Sequence, residues 1–255
     1  MAKKTEQKIL GMADLHCGHL TGLTPPEHMS DDTRATQEPL WKWYVDTLAK
    51  IGPVDALVVN GDMVDGEGKK ETLGHLTTDT LKQANMAAEC IGKIKADRVF
   101  LTYGTPFHTV GSFSYEEAVA EKLNQTVEDS VMVDMQGIKF NFRHACGRSD
   151  IPYGQGTQTF KEAILDVLRA DAGEYESADV TVRAHVHYYC RMEVGKRSAL
   201  TLPCLQIPES VYGRKCRHAY YDIGMVLFRV VDGCVNYEPY IMPLKMVQKR
   251  EYVCL

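Results

Sequence analysis

The sequence predicts an α/β fold of four layers, with two facing mixed sheets flanked by helices, and three features carry that expectation. Apolar, β-branched runs alternate with helical periodicity through the first two-thirds of the chain. The last third is dominated by short strand-like runs of the kind joined as hairpins. Each early run also ends in a turn rich in Asp, His or Gly, where open α/β sheets place their ligands. A chain of 255 residues can bury one substantial core, so residues 1–255 are expected to form a single domain.

The elements follow in order. Lys8–Ala13, Asp55–Asn60 and Arg98–Tyr103 read as the first three strands. Between them, Leu40, Trp41, Tyr44, Val45, Leu48 and Ile51 mark one face of a helix, and Leu81, Ala84, Ala88, Ile91 and Ile94 mark another. Ser114 with Glu117, and Thr159 with Glu162, have capping-box spacing and open two further helices. Their apolar stripes are Tyr115/Ala118/Val119 and Phe160/Ile164/Val167. Val131–Asp134 and Ile138–His144 flank Gln136-Gly137 as a hairpin, and Asp179–Ala184, Ala199–Gln206, Gly224–Val231 and Cys234–Tyr240 are the later strands. Gly154-Gln155-Gly156 is too short for a phosphate loop and reads as a turn.

Composition narrows the function classes. Apolar residues make up 44% and charged residues 25%, the balance of a folded globular protein. The short apolar run Ile9–Ala13 lacks the length of a signal-peptide core, and no run approaches the roughly 18 apolar residues of a membrane span, so the expected location is the cytoplasm. The 8 cysteines are scattered without a Cys-x-x-Cys pair and read as reduced thiols, with Cys17 and Cys146 as packing neighbours of candidate histidines. A net charge of −5 argues against broad capture of duplex DNA, while two divalent cations would nearly cancel it.

Four signals carry chemistry. Asp14-Leu15-His16 closes the first strand, and in an extended segment its carboxylate and imidazole point the same way. Gly61-Asp62-Met63-Val64-Asp65 follows the second strand, where a glycine admits close backbone approach and an Asp can present both oxygens to cations. His144 ends a hairpin strand, and His185-Val186-His187 ends another. Taken singly, each also suits an ordinary turn.

In this order, Asp-x-His, Gly-Asp-x-x-Asp, a lone His and His-x-His resemble the calcineurin-like metallophosphoesterase family from Asp14 to His187, about two-thirds of the chain. The resemblance implies that Asp14, His16 and His187 hold one divalent ion, that His144 and His185 hold a second, and that Asp62 bridges them. It implies a phosphoester hydrolase in which two ions ionise a shared water and polarise the phosphoryl group. Nitrogen and oxygen ligands suit Mn²⁺, Fe, Zn²⁺ or Ni²⁺ alike, and Mn²⁺ is the ion expected from the resemblance. Asp65 matches no ligand position and is expected to orient its neighbours.

The chain departs from the family after the third strand. Where relatives carry Gly-Asn-His, it reads Gly104-Thr105-Pro106-Phe107-His108. Thr105 then stands at the missing ligand's position, and His108 is expected to curl back as general acid or ligand. The second block continues Asp65-Gly66-Glu67 without the arginine of protein phosphatases, which disfavours phosphoprotein substrates. Arg143, Arg148 and Arg183 are candidate substrate contacts. Between Tyr189 and Ala219, Arg191, Lys196, Arg197, Arg214, Lys215 and Arg217 outnumber Glu193 and Glu209. The expected substrate is a phosphomonoester or phosphodiester, with a nucleotide or nucleic acid included. The alternative is a degenerate member that keeps the fold as a binding scaffold.

Overall fold

The strand β1 (Glu6–Met12) explains why the architecture needs four layers. Ile9 and Ala13 point into one apolar cluster while Leu10 and Met12 point into another, so both faces of the strand must be covered. The structure, a computed structural model, describes residues 6–67, 74–105, 109–110, 113–149, 151–173, 176–208 and 221–243.

After β1 come α1 (Asp31–Ile51), β2 (Val54–Asn60), α2 (Thr80–Gly92), β3 (Ala96–Thr102), β4 (Thr109–Val110), β5 (Phe113–Ser114), α3 (Tyr115–Leu123) and β6 (Val127–Glu128). The second half contributes β7 (Val131–Met135), β8 (Ile138–Phe142), α4 (Thr157–Asp171), β9 (Val180–Arg183), β10 (Cys190–Val194), β11 (Arg197–Thr201), β12 (Gly224–Val231) and β13 (Cys234–Ile241). One mixed sheet runs β13-β12-β1-β2-β3-β6 and the other β10-β11-β9-β8-β7. Between them Ile9, Ala56, Val58 and Phe228 meet Phe140, Phe142, Val182 and Leu200. The outer face of the six-stranded sheet carries Leu10, Leu57 and Val59 against Leu40 and Tyr44 of α1, Ala87 of α2 and Val119 of α3. Helix α4 lies along β9 and β11 on the far face of the second sheet. This is the predicted α/β/β/α sandwich.

Several elements differ in detail. The buried face of α1 is Thr33, Gln37, Leu40, Tyr44, Thr47 and Ile51, which turns Val45 out to solvent. Leu81 likewise opens α2 from an exposed position. Ser114 is the N-cap of α3 but forms no side-chain cap, and Glu117 instead accepts from the Tyr103 hydroxyl. Helix α4 starts at Thr157, two residues before the expected cap, so Thr159 is buried in its first turn. Of its expected core stripe, Phe160 and Val167 are half-buried and Ile164 is exposed, because Thr159, Ala163 and Asp166 are the residues turned to the sheet. The hairpin turn holds as read: Gln136 and Gly137 both have positive φ, at 53° and 83°, as a type I′ turn requires. Strand β10 was not foreseen, and the run Ala199–Gln206 leaves the sheet after Thr201 to bridge Cys204 to Ala13.

Candidate metal centre

The ends of β1, β2, β8 and β9 meet at one edge of the sandwich, and backbone contacts lock their loops together. Asp14 N–H donates to Gly61 O at 3.1 Å, His16 N–H to Asp62 O at 3.1 Å, and Ala184 N–H to His144 O at 2.8 Å. The Asp14 and His16 side chains do not converge through an extended strand as the sequence pattern suggested. Asp14, His16, Asp62, His185 and His187 all have φ between 45° and 71°, five of the eight non-glycine residues with positive φ among those described. Left-handed backbone costs on the order of 1 kcal/mol at each such residue, and tight turns of this kind concentrate at functional sites.

Two groups of side chains result: Asp14, His16 and His187, then Asp62, His144 and His185, in each of which the donor atoms lie within 4.8 Å of one another. In the first, His187 Nε2 is 3.1 Å from Asp14 Oδ1 and 3.4 Å from His16 Nε2. In the second, His144 Nε2 is 3.0 Å and His185 Nδ1 4.0 Å from Asp62 Oδ2. The groups adjoin, since Asp14 Oδ1 lies 3.9 Å from both His16 Nε2 and His144 Nε2.

The hydrogen-bond network sets the tautomers. His144 Nδ1 donates to Asn60 O at 2.7 Å, and His16 Nδ1 pairs with Asp65 Oδ1 at 3.1 Å. Each neutral ring therefore aims an Nε2 lone pair at the carboxylates. Asp14 Oδ2 accepts from His185 N–H and Asp62 Oδ1 from Thr105 N–H, at 3.2 and 2.6 Å, so the other oxygen of each faces the centre. Asp14 Oδ1 and His144 Nε2 are fully enclosed and neither has an aligned hydrogen-bond partner. Buried, electron-rich atoms facing one another are costly until a positive charge sits between them, and this donor set suits a divalent cation.

The protonation equilibria point the same way. Burial disfavours the charged form of His144, but Asp62 and Asp14 overcome it and push its pKa up to about 10. Burial opposes ionisation of Asp14 as well, and His187 with His144 nevertheless hold its carboxyl below the usual range. His187 itself is pushed down by burial. Without a cation, then, protons supply the positive charge that the site demands.

Two residues escaped sequence reading. Glu116, buried in the first turn of α3, accepts from Asp62 N–H and Gly104 N–H at 2.9 Å each and so ties the β2 and β3 loops together. Burial and the nearby Asp62 raise its pKa to about 7. The Glu-Glu pair opening α3 is its only sequence signal, and capping-box spacing from Ser114 points to Glu117 rather than Glu116. His75 Nε2 lies 3.0 Å from Asp65 Oδ2, on the side opposite His16, and nothing in its sequence context marked it. Asp65 is thus the orienting residue expected, with burial opposed and outweighed by His16 and His75, which keep its carboxyl far below the usual range.

The remaining candidates are distributed as follows. The Thr105 hydroxyl reaches both Asp62 oxygens, at 3.2 and 3.3 Å, and acts there as a donor bracing the carboxylate. His108 lies outside the described residues, as do Arg214, Lys215 and Arg217. Arg143 and Arg183 do not face the centre. Their neighbours Phe142, Val182 and Ala184 point between the sheets, which turns both arginines to the α4 side, where each binds Glu162 Oε2 at 2.7 Å. They line a cleft of about 740 Å³ that includes none of the candidate ligands. Arg148 is half-buried on the loop after His144. Arg191 stacks over Tyr237, and Arg197 is tied to Ala178 and Ser177.

No protein-family model matches the chain, and no curated protein is significantly similar to it in sequence. Among solved structures, a candidate 5′-nucleotidase from Staphylococcus aureus is similar over 98% of this chain and 56% of that one, at 10% identity and a TM-score of 0.50. An archaeal phosphodiesterase shares 14% identity at a TM-score of 0.45, over 92% of this chain and 100% of that one. Vps29 from Entamoeba histolytica complexed with Zn²⁺ shares 15% at 0.45, over 92% of this chain and 99% of that one. The two-sheet sandwich, with its Asp and His side chains at the strand ends, has the fold of the calcineurin-like metallophosphoesterases.

Proposed function

We propose that this chain is a dinuclear metal-dependent phosphoesterase. The observation that carries the reading is the pair of adjoining Asp/His groups whose enclosed Asp14 Oδ1 and His144 Nε2 lack aligned partners. Asp14, His16 and His187 would hold one divalent ion, and Asp62, His144 and His185 the second. When bound, such a pair supplies a strong Lewis acid for the phosphoryl oxygens and a water ionised near neutral pH. The chain's own residues fix where that chemistry happens. Asp65 and the Asn60 carbonyl hold the His16 and His144 rings with Nε2 inward. Thr105 and Glu116 hold the Asp62 carboxylate and backbone.

Mn²⁺, Fe, Zn²⁺ or Ni²⁺ suits the donor set, and Mn²⁺ is the ion we propose to test first. The substrate is a phosphomonoester or phosphodiester, nucleotides and nucleic acid included, and Arg148 remains a candidate contact for it, since Arg143 and Arg183 bind Glu162 instead. Among the described residues no helix is long and apolar enough to cross a membrane. The test is to assay purified protein against a chromogenic phosphomonoester, a chromogenic diester and single-stranded DNA, with Mn²⁺ and with chelator, beside Asp62→Asn. Metal-dependent turnover lost in the variant supports the reading. Near-zero bound metal after reconstitution, with no turnover, favours a binding scaffold instead.

A further inference from the structure

Helix α4 half-buries Phe160 and Val167 but leaves other aliphatic side chains uncovered. It turns Thr159, Ala163 and Asp166 inward, and Asp166 Oδ2 accepts the buried Ala178 N–H at 3.1 Å. Outward it presents Ile164, Leu165 and Leu168, which are 49%, 39% and 58% exposed. Single exposed aliphatic side chains are ordinary, but an aliphatic stripe along one helix face marks a surface that another surface covers.

The spacing of that stripe and its flanking charges identify the partner. Lys161, Ile164, Leu168 and Asp171 follow one another at intervals of 3, 4 and 3 residues, which places them on one face. The order is cation, aliphatic, aliphatic, anion, and it is its own complement when reversed. Two copies of α4 laid antiparallel about Asp166 bring Ile164 of each onto Leu168 of the other, and Lys161 of each onto the opposite Asp171. Among the described residues neither Lys161 nor Asp171 takes part in an ion pair within its own chain. An interface that maps onto itself in this way is what two-fold symmetry requires of a homodimer.

We propose that this face of α4 is a dimerisation surface and that its occupant is the α4 of a second copy of the chain. Because the contact is built on one helix pair, it belongs to the small, concentration-dependent class of interfaces rather than the obligate one. The surface is the outward face of α4 and includes none of the candidate ligands, so the proposal stands or falls independently of the catalytic reading.

Sedimentation velocity of the full chain over about 1–200 µM tests it, a range that brackets dissociation constants typical of small interfaces. The wild type is expected to move from monomer to dimer across that range. Leu168→Glu places two carboxylates in the apolar centre and should weaken association at least about 100-fold, without changing the circular dichroism spectrum. Lys161→Asp sets like charges opposite and should weaken it about tenfold, whereas Lys161→Asp with Asp171→Lys in the same chain restores opposite charges and should return to within about threefold of wild type. A wild type that is monomeric at every concentration overturns the proposal, as does a dimer indifferent to Leu168→Glu. Failure of the double swap to recover what Lys161→Asp lost overturns the antiparallel pairing.

Discussion

Replacing Asp65 by Asn is the sharpest test of how the candidate metal centre is held together. The Asp65 carboxylate stands between two imidazoles, with His16 Nδ1 at 3.1 Å and His75 Nε2 at 3.0 Å, and its side chain is 12% exposed. Each hydrogen bond to a charged acceptor contributes about 1.5 kcal/mol at the low end of its range, so the carboxylate accounts for roughly 3 kcal/mol of the metal-free fold. An Asn carbonyl can accept from one ring only, and its amide group then opposes the N–H of the other. A net loss of about 2–4 kcal/mol follows in urea unfolding with chelator present. The sign with pH is fixed by the lowered carboxyl: the Asp65 contribution is present above the ordinary Asp range near 3.8 and disappears as acid protonates the folded state below it. The variant's deficit should therefore be full at pH 7 and shrink in strong acid. Freed from Asp65, the His16 ring can also turn its Nε2 away from the first ion, which lowers affinity there by about 10–100-fold. Calorimetric titration with Mn²⁺ at pH 8.5 measures this under conditions where proton competition for His16, whose pKa is raised by Asp65 against burial, is reduced. An unchanged urea midpoint together with a dissociation constant within about twofold of wild type would refute the reasoning.

Two further expectations concern other parts of the structure. Glu162→Ala leaves the buried Arg183 guanidinium, 3% exposed, without its anion and should cost about 3 kcal/mol, while Arg143→Ala removes only the exposed partner and should cost under about 1 kcal/mol; urea denaturation of the two side by side decides whether Arg183 is structural. The raised His144 pKa makes metal-free stability greatest below pH 6.5 and diminishes it as pH climbs through about 10, and since ligation needs the neutral ring, saturating divalent metal should flatten that slope; a chelated protein equally stable at pH 6.5 and 10 would contradict this.

The sequence and the tertiary structure divided the problem along physical lines. The alternation in β1, β2 and β12, apolar on both faces, requires a sheet covered twice, and that is a period-two property visible without coordinates. Asp14, His16, Asp62, His144, His185 and His187 were legible because each follows a strand end, and the structure does gather them into two adjoining groups. An extended strand does not aim Asp14 and His16; left-handed turns do, and although Asp and His adopt positive φ more readily than most residues, residue type alone does not place them there. Long-range contacts settled the rest. Glu116 matters because α3 docks where the Asp62 and Gly104 N–H groups need an acceptor, and His75 because its loop returns to Asp65. Arg143 and Arg183 looked like anion contacts because they adjoin candidate ligands in sequence. Arg143 and Arg183 alternate with Phe142, Val182 and Ala184, which point between the sheets, so the arginines went beneath α4. His144 and His185 lie past the ends of β8 and β9 and turn to the centre, His185 through a left-handed φ of 71°.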